Sequence, residues 1–243
     1  MFILMKGRAM ERYFEHRDLP DEKERLRERA LAYCDLDMYR EAIAEYEKII
    51  KMDSGDPWSY LDLGICLGDK GERDKAMKCY LMALKIFPRN SNLYLNLGYC
   101  FEKHLKRCDM AAVCYEKALE LDPGDEWALN NIGSILQKEG KWKEALTYYE
   151  AAYAARKGDN NHILHNLAWA YYHCKNYKKA WSLYSKLIHE YPDRVSVYAD
   201  FTCVNYRLGR IEEALGLLDN VLEQFPKNRH CRKLYKLIIK QME

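Results

Sequence analysis

Three histidines and a cysteine lie close together in the sequence and are the first candidates for chemistry. His162 and His165 are three positions apart, so on a helix they share a face. A metal site needs a third ligand nearby, but His173 and the adjacent Cys174 come only about two turns further along. We therefore interpret these histidines as side chains that contact a ligand or solvent. We predict neither a metal nor a cofactor.

Motifs that would indicate an enzyme are missing from the sequence. It contains no glycine-rich phosphate loop, no Gly-x-Ser-x-Gly and no His-Glu-x-x-His. Its carboxylates are scattered along the chain, as they are on solvated helix faces. We predict a protein without catalytic activity, so the next question is which elements position its polar groups.

The charge and the cysteines favour a cytoplasmic protein that contacts neither nucleic acid nor membrane. The 243 residues carry 39 basic and 37 acidic side chains, for a net charge of +2. The apolar run at residues 1–5 is shorter than a secretory signal or a membrane span requires. The nine cysteines show no Cys-x-x-Cys spacing, which indicates reduced thiols.

One pattern of apolar, small and turn residues recurs at intervals of 34 or 35 residues. In residues 57–90 the first apolar stripe ends at Leu67 and the second begins at Ala76, with a polar turn between them. Small residues recur at the eighth and twentieth places, where they would let two helices approach closely. The pattern predicts six helix–turn–helix repeats at residues 23–56, 57–90, 91–125, 126–160, 161–194 and 195–228.

The ends of the repeats predict several local features. Proline closes most repeats, but repeat four lacks it, so we expect its second helix to be longer than the others. The internal turn of repeat three has one extra residue and should bulge. Residues 229–243 have the apolar side of a C-terminal capping helix. Residues 1–22 form an extension that either caps the array with a short helix or docks into a groove.

The repeating unit resembles the tetratricopeptide repeat. Its first helix carries aromatic, leucine and glycine residues, as at Tyr60, Leu63 and Gly64, and its second carries alanine and tyrosine before a closing proline. The resemblance covers residues 23–228. It implies an all-α fold, a right-handed superhelical solenoid of six repeats plus the capping helix. It also implies that the first helices line a concave groove for a partner protein or an extended peptide.

By this resemblance the sixth place of each first helix faces the groove, and three repeats carry asparagine there. Asn96, Asn131 and Asn166 stand in register at intervals of 35 residues. An asparagine amide can donate to one main-chain group of a peptide and accept from another. We predict that this row holds an extended peptide by its main chain; the alternative is that these amides are simply solvated.

The thirteenth place predicts a polarised groove, acidic at Asp35 and Asp69 and basic in the four later repeats. Cations near a helix C-terminus are also stabilised by the helix dipole, by about 0.3–1 kcal/mol, so binding is not the only explanation. Aromatic side chains concentrate in the second half and are the usual anchors of interfaces. The predicted binding residues are Asn96, Tyr99, Lys103, Asn130, Asn131, Lys138, His165, Asn166, Trp169, Tyr172, His173, Tyr206 and Arg207.

The main functional hypothesis is a non-enzymatic scaffold that binds a protein or an extended peptide in the groove. Two alternatives stay open. The first is a self-assembling structural protein that uses its apolar N-terminal segment. The second is a regulatory subunit or fragment of a larger enzyme system. The sequence does not predict the identity of the partner or the oligomeric state.

Overall fold

The part of the chain that the structure describes is helical apart from its turns and links. The structure is a computed structural model and describes residues 21–158, 160–192 and 194–242. Within these ranges there are thirteen helices and no strand, which confirms the predicted all-α class. The capping or docking predicted for the N-terminal extension concerns residues that lie, except for Asp21 and Glu22, outside the described ranges.

The helices follow one another in pairs. They are α1 (Glu22–Asp35) and α2 (Tyr39–Met52), α3 (Pro57–Asp69) and α4 (Arg73–Ile86), α5 (Ser91–Lys103) and α6 (Cys108–Leu121), α7 (Glu126–Lys138) and α8 (Trp142–Ala155), α9 (Asn161–His173) and α10 (Tyr177–Glu190), α11 (Val195–Arg207) and α12 (Ile211–Gln224), and finally α13 (Arg229–Met242). We call the earlier member of each pair the first helix and the later member the second helix.

The chain divides into two compact parts, which we describe separately. The N-terminal body extends up to Ala111, and the C-terminal body begins at Ala112. Helices α1 to α5 thus belong to the N-terminal body, and helices α7 to α13 belong to the C-terminal body.

Short polar side chains in the links set where several first helices begin. The Asn90 side chain accepts a hydrogen bond from the backbone N–H of Leu93 at 2.8 Å. The Asp125 carboxylate accepts from the backbone N–H groups of Trp127 and Ala128, both at 2.9 Å. The opening N–H groups of a helix have no partner within it, so each cap stabilises the helix by about 0.5–2 kcal/mol.

The turn inside each pair contains one residue in the left-handed region of backbone conformation. A side chain there costs about 1–2 kcal/mol, which explains why half of these residues are glycine. Between α5 and α6 the turn has four residues, 104–107, against three in the other pairs, as the extra residue in the sequence predicts. The six residues with positive φ are Asp37, Gly71, Lys106, Gly140, Lys175 and Gly209.

The prediction of a longer second helix in repeat four is wrong. Helix α8 has 14 residues, the same number as α4. After α8 the backbone becomes extended at Arg156, with ψ of 134°. The buried Glu126 carboxylate accepts hydrogen bonds from the backbone N–H of Lys157 at 2.6 Å and from the Asn160 amide. This anchored link, rather than a proline, ends the helix.

A buried tyrosine of the second helix packs against a small residue of the first helix. A Cβ added at Gly64 would lie 2.2 Å from Cε1 of Tyr80, and one added at Gly133 would lie 2.7 Å from Cε1 of Tyr149. The Tyr149 hydroxyl donates to Oε1 of Gln137 at 2.8 Å, which fixes the position of that ring. The small residues therefore permit close approach, as predicted. The other second helices contribute the buried side chains Tyr46, Tyr115, Tyr184 and Leu218.

In the C-terminal body the interior passes from one pair to the next. One cluster of buried residues includes Tyr149 of α8, Leu167 of α9 and Phe201 of α11. A second cluster joins Leu218 of α12 to Ile238 of α13. Each pair thus covers apolar side chains of its neighbour, and α13 covers those of the last pair.

His104 fills a close contact in the N-terminal body. His104 is 5% exposed, and a Cβ added at Gly68 would lie 2.6 Å from its Cγ. Asp69 Oδ1 is 3.7 Å from Nδ1 of His104 and favours the protonated ring. Burial nevertheless lowers the pKa of His104 overall, with help from nearby basic side chains.

We expect His104 to make the N-terminal body less stable in mild acid. In the unfolded chain this histidine takes up a proton near pH 6.5, whereas in the folded protein its pKa is lower. The stability that the neutral ring contributes is therefore present above about pH 6.5 and is lost as the pH falls below it. Melting temperatures at about pH 7.5 and about pH 5.5 should differ less in His104→Phe, which keeps a ring against Gly68, than in the wild type. Equal differences would contradict this account.

The contact between Gly133 and Tyr149 can be tested with a double-mutant cycle. We expect Gly133→Thr to lower the free energy of unfolding by about 1–3 kcal/mol, because the added atoms meet the ring. Tyr149→Leu should recover part of the loss, since Thr202 and Leu218 occupy the corresponding places of the last pair and are both buried. Urea unfolding should give a coupling energy of roughly 0.5–3 kcal/mol.

The control for this cycle is Gly216, which is exposed on α12 and has no atom within 4 Å of an added Cβ. Gly216→Thr should change the free energy of unfolding by less than about 0.5 kcal/mol. Strictly additive effects of Gly133→Thr and Tyr149→Leu would show that the two side chains do not meet.

Candidate functional site

Neighbouring first helices bond to one another through side chains at the predicted binding positions. In the N-terminal body such a bond joins α3 to α5, and in the C-terminal body such bonds join α7 to α9 and α9 to α11. We call the side of the first helices that carries these bonds the first-helix face, and describe it for each body in turn.

In the N-terminal body Lys103 is the centre of this face. Its Nζ lies 3.3 Å from Oδ1 of Asp69 and 5.6 Å from the centre of the Tyr99 ring. Burial opposes the charge of Lys103, but Tyr99 and Asp69 outweigh it and raise the pKa of the lysine. Asp69 and Lys103, predicted to belong to opposite ends of a polarised groove, thus pair with each other.

Asn96, on the same helix, uses one N–H of its amide for a hydrogen bond to the backbone of that helix. Its Nδ2 donates to the carbonyl oxygen of Asn92 at 2.8 Å. An asparagine amide has two N–H groups and one oxygen, so this bond uses one of its donors. The predicted row of asparagines therefore includes, at Asn96, a side chain whose orientation is fixed by its own helix.

In the C-terminal body two helices are joined by a pair of asparagine amides. Nδ2 of Asn166 on α9 donates to Oδ1 of Asn130 on α7 at 2.9 Å. Asn130 is 4% exposed and its neighbour Asn131 is 8% exposed, whereas Asn166 is half-buried. Asn131 and Asn166, the two members of the predicted row in this body, are thus partly enclosed by protein.

His165 joins α9 to α11. Its Nε2 lies 2.8 Å from Oδ2 of Asp200, and its ring meets the edge of Tyr184 with centroids 5.8 Å apart. His173 instead stacks on Trp142, so His165 and His173 serve different partners. In the described ranges, no three histidine, cysteine or acidic side chains gather where they could hold a metal ion.

Five rings at the end of α9 and the starts of α8 and α10 form what we call the aromatic cluster. Trp169 and Tyr172 stack with centroids 5.0 Å apart, and Trp142 and His173 stack at 3.6 Å. Tyr177 contacts Tyr172 at 5.6 Å. Such contacts contribute about 0.5–1.5 kcal/mol each beyond the area they bury. Trp169 and Tyr172, two of the predicted binding residues, are only half-buried.

The aromatic cluster also has polar neighbours. Nε of Arg207 on α11 lies 3.5 Å from the Tyr172 hydroxyl, a long hydrogen bond between two predicted binding residues. Burial lowers the pKa of His173, although Asp200 acts in the opposite direction, so the ring at the centre of the cluster favours its neutral form.

Two other predicted residues lie in different surroundings. Tyr206 packs against the buried cluster formed by α11, α12 and α13, so at least part of its side chain contacts the interior. Lys138 is exposed in the last turn of α7, the place that the helix dipole favours for a cation.

The sequence interpretation overlooked Trp142 and Tyr177, which complete the aromatic cluster. Both are the opening residue of a second helix, and α2 also begins with an aromatic residue, Tyr39. This recurrence was a usable signal, because the start of a second helix follows its turn and comes close to the end of the first helix.

Within the described ranges no helix is long and apolar enough to pass through a bilayer.

The sequence matches the Tetratricopeptide repeat family at residues 59–90, 91–125 and 124–188. It is 32% identical over 116 residues to Tetratricopeptide repeat protein 21B of Mus musculus, covering 48% of this chain and 8% of that protein. It is 28% identical over 175 residues to TPR repeat-containing protein MJ1428 of Methanocaldococcus jannaschii, covering 68% of this chain and 29% of that protein. The chain thus spans only a minor part of these relatives.

Solved structures similar to this one include the following two. PilW, a widely conserved type IV pilus biogenesis factor, has a TM-score of 0.75 at 20% identity over 89% of this chain and 99% of its own. That likeness concerns the fold alone. YrrB, a TPR protein with an unusual peptide-binding site, has a TM-score of 0.52 at 25% identity over 71% of this chain and 88% of its own.

Proteins of this kind generally mediate protein–protein interaction, and the repeat fold by itself is typically non-catalytic. The paired helices, the tyrosines packed against small residues and the family matches from residue 59 to residue 188 agree with one another. On these grounds the chain belongs to the tetratricopeptide repeat family.

Proposed function

We propose that this chain is a non-enzymatic scaffold that captures an extended segment of a partner protein on the first-helix face of the C-terminal body. The observation that supports this most is that α9 carries both Asn166, which pairs with Asn130, and, about one turn later, Trp169 of the aromatic cluster. Half-buried rings offer apolar contact area, and the amides offer hydrogen bonds to a peptide backbone. An extended peptide needs both at once.

The rings of Trp169 and Tyr172 are suited to be anchors because they are already held in place. Each stacks on the other, and Tyr172 also contacts Arg207 and Tyr177. A side chain that is ordered before binding loses little conformational entropy when a ligand arrives. Large aromatic side chains of this kind dominate the binding energy of interfaces.

Asn166 and Asn131 would contribute contacts that do not depend on the sequence of the ligand. After donating to Asn130, the Asn166 amide still has a second N–H and an oxygen. Bonds from these groups to a peptide main chain would be the same for any residue type. The amides would therefore add affinity that is the same for every peptide, and the rings would add affinity that depends on the side chains of the peptide.

The family relationship supports the same proposal. The solved YrrB structure is described as having an unusual peptide-binding site, and its likeness to this chain covers most of both molecules.

The test of the aromatic cluster begins with peptides selected on the intact chain from a random display library. For these peptides, the double variant Trp169→Ala, Tyr172→Ala should raise Kd at least about tenfold, because anchor side chains typically contribute more than about 1.4 kcal/mol. Isothermal titration measures Kd. Val113→Ala, at an exposed apolar position of the second helix α6, is the control and should leave Kd unchanged.

Removing the asparagine amides should affect the selected peptides in a different pattern from removing the rings. Asn131→Ala, Asn166→Ala should weaken unrelated selected peptides by a similar factor, roughly 5- to 150-fold for two lost hydrogen bonds of about 0.5–1.5 kcal/mol each. The aromatic variant should weaken them unequally, according to the side chains that each peptide offers. Full affinity in both variants, with unchanged melting curves, would refute the proposal.

A further inference from the structure

Two cysteines of the N-terminal body bring their sulfur atoms together. Sγ of Cys34, in the last turn of α1, lies 2.8 Å from Sγ of Cys66 in α3. Cys66 is 2% exposed, whereas Cys34 is half-buried and can be reached from solvent. The two residues belong to successive first helices, 32 positions apart in the chain.

We propose that Cys34 and Cys66 are the site of a reversible disulfide that fastens the first repeat to the second when the chain meets hydrogen peroxide. A disulfide has an S–S length of about 2.05 Å, so the sulfur atoms need to approach by less than about 1 Å. Cys34 lies one residue before the end of α1, where a helix yields most readily.

The chemistry follows from the unequal exposure of the two thiols. Peroxide reaches Cys34, whose thiolate attacks one peroxide oxygen to give a sulfenic acid and hydroxide. The Cys66 sulfur then attacks the sulfur of that sulfenic acid; the S–S bond forms, the S–O bond breaks and water leaves with the thiol proton. In sum, two thiols and one hydrogen peroxide give one disulfide and two waters, and a thiol reductant reverses the oxidation.

The disulfide would add a covalent bond at the end of α1 that lies opposite a group of ion pairs. Near the start of α1, Lys23 Nζ lies 2.6 Å from Asp53, and Arg27 pairs with the buried Asp56. Cys34 and Cys66 lie towards the opposite ends of α1 and α3. Oxidation would therefore add a covalent bond between α1 and α3 to the ion pairs near the start of α1.

The test treats the intact chain with hydrogen peroxide and maps it with trypsin without reductant. We expect tryptic peptides 30–40 and 52–70, which contain Cys34 and Cys66, to be linked to each other and to separate on addition of dithiothreitol. The oxidised chain should also melt at a higher temperature than the reduced chain. Cys34→Ser should abolish both the link and the shift in melting temperature.

The matched control is Cys203→Ser, which removes another half-buried thiol, on α11, and should leave the link intact. Because the wild-type peptide map does not depend on any variant folding, the outcome is decisive in either direction. Peroxide-treated wild type in which Cys34 becomes sulfinic acid while Cys66 stays a thiol would overturn the proposal.

Discussion

The distance between the two helices of a pair depends on one contact, a buried ring of the second helix against a residue of the first helix that has almost no side chain. At Gly64 and Gly133 the ring of the facing tyrosine occupies the volume that a Cβ would need. Protein interiors are packed too densely to absorb such an overlap, so the contact determines how near the helices lie. The corresponding places of the last pair hold Thr202 and Leu218, both buried, so that a larger residue of the first helix goes with a smaller residue of the second.

This spacing brings successive first helices within reach of one another's side chains. The bonds between them differ in chemistry: an ion pair at Asp69 and Lys103, an amide pair at Asn130 and Asn166, and a histidine–carboxylate pair at His165 and Asp200. Groups at the predicted binding positions therefore also connect the repeats. A ligand would add to bonds that already exist and would meet side chains that have little freedom left to lose.

The repeat period was enough to predict the helices, because a residue pattern that recurs six times reflects packing that recurs six times. Details that depend on a partner distant in the sequence could not be predicted. The end of α8 is fixed by Glu126, about thirty residues before the link it holds, and a missing proline gave no hint of it.

The candidate site also combines residues that could be predicted from the sequence with residues that could not. Trp169 and Tyr172 were predicted from their places on one helix, whereas Trp142 comes from a different helix and was overlooked. The polarised groove was inferred from residue types alone. The structure pairs Asp69 with Lys103, since residues at the same place of adjacent repeats are neighbours in space.

The ion pair of Asp69 and Lys103 has a consequence for how a partner would find this protein. Two opposite charges 3.3 Å apart act at a distance as a small dipole, and at physiological ionic strength fields fade within about 8 Å. An approaching molecule would therefore gain little electrostatic guidance from this pair. Where charges are paired in this way, association rate constants stay near the values found without electrostatic attraction. Differences in affinity between partners then come mainly from how fast each complex dissociates.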